Sequence, residues 1–247
     1  MSLRHSGVTF LNFDGTYLSQ KQLLRFPHEW IDVNDLNGTN LYCDDRSLCE
    51  IEKRLSKRKT KGITFLGSGN YHYASYLLLK EIREPFTLVL FDHHTDTSEE
   101  SLFPFISCGS WVAYALKHVP LLKHVVIIGS SPSLSPSPNV TIFPKNNIDY
   151  SPKMIISNIS TDCVYISIDK DVLRQEDAIT NWDQGSMKLS VLLDYLQEIL
   201  HRKDVIGVDI CGEDRFASAK NEEANRKILE VCLHHASKLS PTTHSAS

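Results

Sequence analysis

Apolar residues along this chain fall into short continuous blocks rather than alternating with polar ones. Val8-Thr9-Phe10-Leu11-Asn12-Phe13 is the first such block, and it breaks at Asp14-Gly15. Gly62 to Leu66, Phe86 to Phe91, Val125 to Ile128, Val164 to Ile168 and Val205 to Ile210 repeat the pattern. Between them the period changes. Tyr73 to Ile82, Cys108 to Lys117, Val191 to Arg202 and Glu222 to Ser237 carry apolar residues at helical spacing. A strand that is apolar at every position has both faces covered, and strands that take turns with helices build a parallel sheet. The expected fold class is α/β, with helices on both faces of a mostly parallel sheet. The Ser/Pro-rich stretch Ser130 to Asn139 has no period and reads as a loop. No internal repeat or linker interrupts the series, so residues 1–247 read as one catalytic domain with polar, frayed ends.

Composition mainly narrows the choice of partner. The 247 residues are 41% hydrophobic, enough for one substantial core. A formal net charge of -4 and the lack of a large basic block argue against nucleic acid. The nearest such block, Lys53-Arg54 through Lys61, reads as a solvated helix face and loop. No apolar run approaches membrane-spanning length, and no secretory signal opens the chain. Cys43, Cys49, Cys108, Cys163, Cys211 and Cys232 form no C-x-x-C pair, which fits a reducing cytoplasm better than a disulfide scaffold. Cys163 and Cys232 lie in apolar stretches and read as small core residues.

The chemistry sits where the strands end. Phe86 to Phe91 runs into Asp92-His93-His94-Thr95-Asp96, and on an extended chain Asp92, His94 and Asp96 would share a face. Val164 to Ile168 runs into Asp169-Lys170-Asp171, again with two carboxylates on one face. Carboxylates gathered beyond buried strands repel one another and lose hydration unless a cation compensates them. Gly67-Ser68-Gly69-Asn70-Tyr71-His72 sits between a strand and a helix, where a dinucleotide fingerprint would lie. That fingerprint needs a glycine at the position of His72, so His72 is read instead as a further metal ligand. His72, Asp92, His94, Asp96, Asp169 and Asp171 offer two imidazoles and four carboxylates. One zinc takes fewer ligands than this, whereas two hard or borderline divalent ions suit the set, and four negative charges balance two dications. Helix caps or solvated turns would explain one Asp-x-Asp, but not three coordinated strand ends.

With these residues in view, the chain resembles the ureohydrolase family of arginases, agmatinases and formiminoglutamases. The family's D-A-H-x-D appears as Asp92-His93-His94-Thr95-Asp96, and its S-x-D-x-D as Ser167-Ile168-Asp169-Lys170-Asp171. Its G-G-[DN]-H element looks like Gly69-Asn70-Tyr71-His72, with a one-residue difference. The resemblance spans about Val8 to His235. It implies a three-layer α/β/α sandwich of arginase type, a binuclear centre of two Mn²⁺ or other divalent ions, and hydrolysis of a guanidino or formimino C–N bond. It also implies that Asp96 orients the attacking solvent and carries a proton to the departing amine.

The departures from the family pattern concern the substrate. The family's [HS]-G-x-P element is matched by Ser107-Cys108-Gly109-Ser110-Trp111, which puts Cys108 where arginases carry a proton-shuttle histidine. Thr97 to Phe105 and Gly129-Ser130-Ser131-Pro132 lack the arginine head-group residues, and Asp171 is followed by Val172-Leu173-Arg174 instead of D-P. Glu213 stands one residue later than the family's guanidinium-binding glutamate. Phe103, Pro104, Phe105 and Trp111 are expected to give apolar surface near the site. A buried amino-acid head group without polar partners would be costly, so the expected substrate is a small or peptide-borne amidine rather than free arginine. A homo-oligomer is compatible with this reading. The rival is a catalytically silent metal-binding regulatory relic of the same fold.

Overall fold

The computed structural model describes residues 2–98, 105–131, 137–145, 150–214, 216 and 219–236. In chain order the strands are β1 (Gly7–Asn12), β2 (Glu29–Asp32), β3 (Tyr42–Cys43), β4 (Gly62–Phe65) and β5 (Phe86–Phe91). There follow β6 (Ile106–Ser107), β7 (Leu122–Ile128), β8 (Val140–Phe143), β9 (Cys163–Asp169) and β10 (Asp204–Cys211). The helices are α1 (Asp45–Leu55), α2 (Ser75–Leu79), α3 (Trp111–His118), α4 (Pro152–Ser157), α5 (Leu189–Arg202) and α6 (Ala219–Ala236). Eight strands make one sheet in the order β2-β1-β4-β10-β9-β5-β7-β8, with every neighbouring pair parallel. The two-residue strands β3 and β6 pair antiparallel, apart from this sheet.

Continuous apolar strands become two cores. On β5, Val89 and Phe91 enter one cluster with Leu192, Leu196 and Ile199 of α5 and Ile228, Leu229 and Cys232 of α6. Leu88 and Leu90 enter the other, with Leu48, Ile51 and Leu55 of α1, α2, and Trp111, Val112 and Ala115 of α3. Successive side chains point to opposite faces of a strand, so a wholly apolar strand supplies both layers at once. The result is the three-layer α/β/α sandwich expected from the pattern.

Several elements missing from the sequence reading leave one side in solvent. β2 and β8 are the edges of the sheet, and each is partly exposed along its length. Helix α1 buries a narrow stripe at Leu48, Ile51 and Leu55, and its start is set by Asp44, whose side chain accepts from the Ser47 amide. The helix expected over Tyr73 to Ile82 is instead a 3₁₀ segment, Gly69–Ala74, continuing into the short α2. A longer helix is not required, because α2 is buried at every residue and no exposed face needs to be sustained.

Parallel pairing puts all eight carboxyl ends on one edge of the sheet. The four middle strands, β4, β10, β9 and β5, lead directly into the residues that carry the chemistry.

Candidate metal centre

His72 lies in the 3₁₀ segment after β4, which opens with the Ser68 hydroxyl accepting from the Asn70 amide, and it is fully buried. The segment after β5 does not stay extended. Asp92 Oδ1 accepts from the His94 amide at 2.6 Å, which turns the chain, and Asp96 takes a left-handed φ of 51°. Asp92, His94 and Asp96 do converge, but through this turn rather than along the face of a continued strand. Left-handed backbone is uncommon for a residue other than glycine. Here it is held by the amide of Val112, which donates to the Asp96 carbonyl, and by Trp111 Nε1, which donates to Asp96 Oδ2 at 2.7 Å. After β9, Asp169 Oδ1 accepts from the Asp171 amide at 2.9 Å, closing a single 3₁₀ turn, Lys170–Val172. Asp169 and Asp171 face the site, and Lys170 between them leaves on the other side.

Two half-sites share Asp92. His72 Nδ1 stands 3.4 Å from Asp92 Oδ2, 3.2 Å from Asp96 Oδ2 and 3.5 Å from Asp169 Oδ2. His94 Nδ1 stands 3.6 Å from Asp92 Oδ1 and 2.9 Å from Asp171 Oδ2. Asp92 thus offers one oxygen to each imidazole. Its Oδ2 is buried and has no hydrogen-bond partner, an arrangement that a cation would satisfy. All six expected ligands therefore come together, and their donor set fits two divalent ions.

The far nitrogens are also held. His72 Nε2 meets Ser167 Oγ at 2.9 Å, and that hydroxyl donates to Asp209 Oδ1 at 2.6 Å, so it accepts from Nε2–H. His94 Nε2 meets Asp183 Oδ1 at 3.0 Å. Both rings therefore keep Nδ1 toward the carboxylates, the role that outer partners play around metal-bound imidazoles.

The electrostatics reflect crowded anions. Burial, then Asp96, raises the Asp92 carboxyl, and burial also raises Asp96. Asp169 is pushed up to about 6 by burial and by Asp171, and Asp171 to about 7 by burial and by Asp92. Hydrogen bonds to Asp171 and Asp92 push His94 up to about 12. Burial works against a charge on His72, but Cys211, Asp92 and Asp96 around it hold it well above the ordinary range. Four carboxylates that raise one another and charge both imidazoles form a site with an excess of negative charge.

The site floors a cavity of about 300 Å³, also lined by Gly69, His93, Cys108 and Trp182. Cys108 is thus at the wall, where burial and then Asp96 push its thiol up to about 12. Glu213, expected to meet the substrate, does not line this cavity. It is fully buried in an ion pair with Lys170 and accepts from Gln20, Asn221 and Asn225 as well. The preceding residue, Gly212, stands at the family's common spacing, but it has a φ of 83° and a Cβ there would come within 2.3 Å of Asp169 Oδ1. Trp111, expected as apolar surface, is wholly buried because its indole holds Asp96. Phe103 and Pro104 lie outside the described residues, and Phe105 is exposed.

Four participants were missed. Asp209 and Cys211 lie on β10, and their period-2 spacing beside an apolar strand was a usable signal. Trp182 and Asp183 lie in a segment with no motif. Trp182 reaches the cavity because its Nε1 donates to Asn70 Oδ1 at 2.9 Å and because Gly69, whose Cβ would stand 3.0 Å from the indole, has no side chain.

Comparison with known proteins agrees with this architecture. The sequence profile of the arginase family matches residues 10–213. An uncharacterized protein of Thermotoga maritima is 34% identical over 231 residues, covering 91% of this chain and 88% of its own. Among solved structures, a hypothetical agmatinase from Burkholderia thailandensis superposes with a TM-score of 0.70 at 16% identity, covering 96% of this chain and 89% of its own. Formimidoylglutamase from Bacillus subtilis superposes at 0.66 and 16% identity, covering 95% and 87%. These structural likenesses speak for the fold. The profile match, which spans most of the chain and both aspartate motifs, shows that this protein belongs to the arginase family.

Proposed function

We propose that this protein is a binuclear metal-dependent hydrolase that cleaves a C–N bond of a guanidino or formimino compound, with two Mn²⁺ as the expected ions. The observation that carries this reading is the meeting of His72, Asp92, His94, Asp96, Asp169 and Asp171 on the floor of one cavity, with Asp92 shared between the halves. Bound there, two divalent ions would supply Lewis acidity and lower the pKa of water to near neutrality.

The chain's own residues do the rest. His72, Asp96 and Asp169 would hold one ion and His94 and Asp171 the other, with Asp92 offering an oxygen to each half. Trp111 fixes Asp96 Oδ2, which leaves Oδ1 to orient the attacking solvent and pass its proton to the departing nitrogen. Cys108, on the wall near Asp96, stands where a relay would exchange that proton with solvent. Burial raises its pKa and keeps the thiol protonated, so it can donate a hydrogen bond into the cavity. The Trp182 indole gives a flat wall against which a planar amidine can lie.

Among the described residues lining the cavity, the only carboxylates are the four assigned to the ions. With Glu213 engaged by Lys170, a free arginine finds no spare carboxylate for its guanidinium in this part of the wall. Because the guanidinium is the same in a free and a peptide-borne arginine, the preference for a smaller amidine or an arginine within a peptide over free arginine rests on the missing head-group residues of Thr97 to Phe105 and Gly129 to Pro132.

The test is metal analysis after Mn²⁺ incubation, followed by urea or ammonia release from arginine, agmatine, formiminoglutamate and an arginine-containing peptide. Two ions per chain, turnover of an amidine and loss of both with Asp92→Ala are expected. Fewer than one ion would overturn the reading. Full occupancy with a silent panel would leave a metal-binding regulatory protein, and high kcat/KM on free arginine would overturn the substrate preference.

A further inference from the structure

Cys211 ends β10 in register with Asp169 at the end of β9, so its side chain enters the site from the strand next to the ligand strand. It is fully buried, and its Sγ lies 3.1 Å from Asp169 Oδ2. His72, Asp169 and Cys211 offer ligand atoms within 4.8 Å of one another. A second observation points to a ligand at the same place. Asp92, 1% exposed, aims an unpartnered Oδ2 at the same imidazole nitrogen, 3.4 Å away. Oxygens 3.2–3.5 Å from His72 Nδ1 have the spacing of atoms that share one ion through bonds of about 2.0–2.3 Å.

The two half-sites therefore differ in chemistry. The His94 half, with Asp171 and Asp92, is nitrogen and oxygen only. The His72 half has a sulfur within reach. We propose that Cys211 is a thiolate ligand of the ion held by His72, so that this half of the centre takes a thiophilic divalent cation such as Zn²⁺, Fe²⁺ or Co²⁺ in preference to Mn²⁺. The inference rests on the binuclear reading above and deepens it. The bond that forms is metal to sulfur and the bond that breaks is S–H, with the proton released to solvent as the ion enters. No oxidant or co-reactant is needed. Soft thiolate selects for such ions, whereas the His94 half, with nitrogen and oxygen donors alone, retains the preference for Mn²⁺.

Cobalt reports on sulfur directly. The full chain, freed of metal, is titrated with Co²⁺ while absorption and bound cobalt are recorded. A near-ultraviolet sulfur-to-cobalt charge-transfer band should grow with one of the two ions bound. It should be lost in Cys211→Ser, with cobalt still bound, and retained in Cys108→Ser, which removes the other thiol near the site. X-ray absorption on the Zn²⁺-loaded wild type needs no variant and should show one sulfur at about 2.3 Å. Two cobalt ions bound without a band, or a band that survives Cys211→Ser, would overturn the thiolate ligand and leave the binuclear reading standing. No bound cobalt in the wild type would overturn both. Should Cys211→Ser fail to fold, the absence or presence of zinc–sulfur scattering in the wild type, and its persistence in Cys108→Ser, decides the matter.

Discussion

Replacing Glu213 with glutamine separates a structural role from the substrate role that its place in the sequence suggested. Lys170 and Glu213 form an ion pair with both side chains 0% exposed. The carboxylate also accepts from Gln20 Nε2 at 2.9 Å, Asn221 Nδ2 at 3.0 Å and Asn225 Nδ2 at 2.6 Å, all three residues buried. Glu213→Gln keeps the volume but leaves the Lys170 ammonium buried without an anion. Breaking such a pair from one side costs about 3–5 kcal/mol, a large part of a total stability of roughly 5–15 kcal/mol. With a urea slope of about 3 kcal/mol per molar, the unfolding midpoint should fall by about 1–1.7 M. Removing both charges, Lys170→Met with Glu213→Gln, should recover most of that loss, because the glutamine oxygen still accepts from the buried amides and the penalty is the uncompensated charge rather than a missing attraction. Lys170 lies between Asp169 and Asp171, so loosening it should also weaken metal binding in the single variant. A guanidinium ligand would behave differently, with KM raised and the urea midpoint unmoved. That result, or a double variant less stable than Glu213→Gln, would refute the reasoning.

Two further outcomes follow from contacts away from the cavity. Ser167→Ala removes the acceptor for His72 Nε2–H, so divalent-metal affinity in a chelator competition should drop by about 10–100-fold; unchanged affinity would show that the hydroxyl does not orient the ring. Glu84 is held at about 2, against an ordinary 4.5, first by its hydrogen bond from Arg4 and then by the Cys163 thiol. A carboxyl depressed on folding adds stability above its unfolded pKa and loses it as pH falls through the folded value. The melting-temperature gap between wild type and Glu84→Gln should therefore be full above pH 4.5 and close as pH falls toward 2. The pair is partly exposed, so its contribution should stay below about 1 kcal/mol. A gap that does not change with pH would show that the ion pair is not its source.

The sequence by itself determined the layering of this protein and most of the residues of its candidate metal centre. Phe86 to Phe91 carries apolar residues on both faces, with Thr87 the one polar position, and a strand covered on both sides tolerates that, so β5 was expected to be central and parallel. Asp92, His94 and Asp96, and Asp169 and Asp171, follow such strands within a few residues, so short-range order was enough to find them. His72 was legible for the same reason. What local order could not specify was which strands become neighbours. The placement of β10 between β4 and β9 is a property of the whole sheet, and it brings Asp209 behind Ser167 and Cys211 beside Asp169. The pairing of Lys170 with Glu213, and the reach of Trp182 to Asn70, span 43 and 112 residues and have no period to announce them. Glu213 shows the difference most clearly. Its spacing after β10 suggested a residue facing the substrate. Gly212, whose left-handed backbone passes against Asp169, leads instead to a glutamate buried against Lys170, because an unpaired buried ammonium costs more than the turn that brings a carboxylate to it.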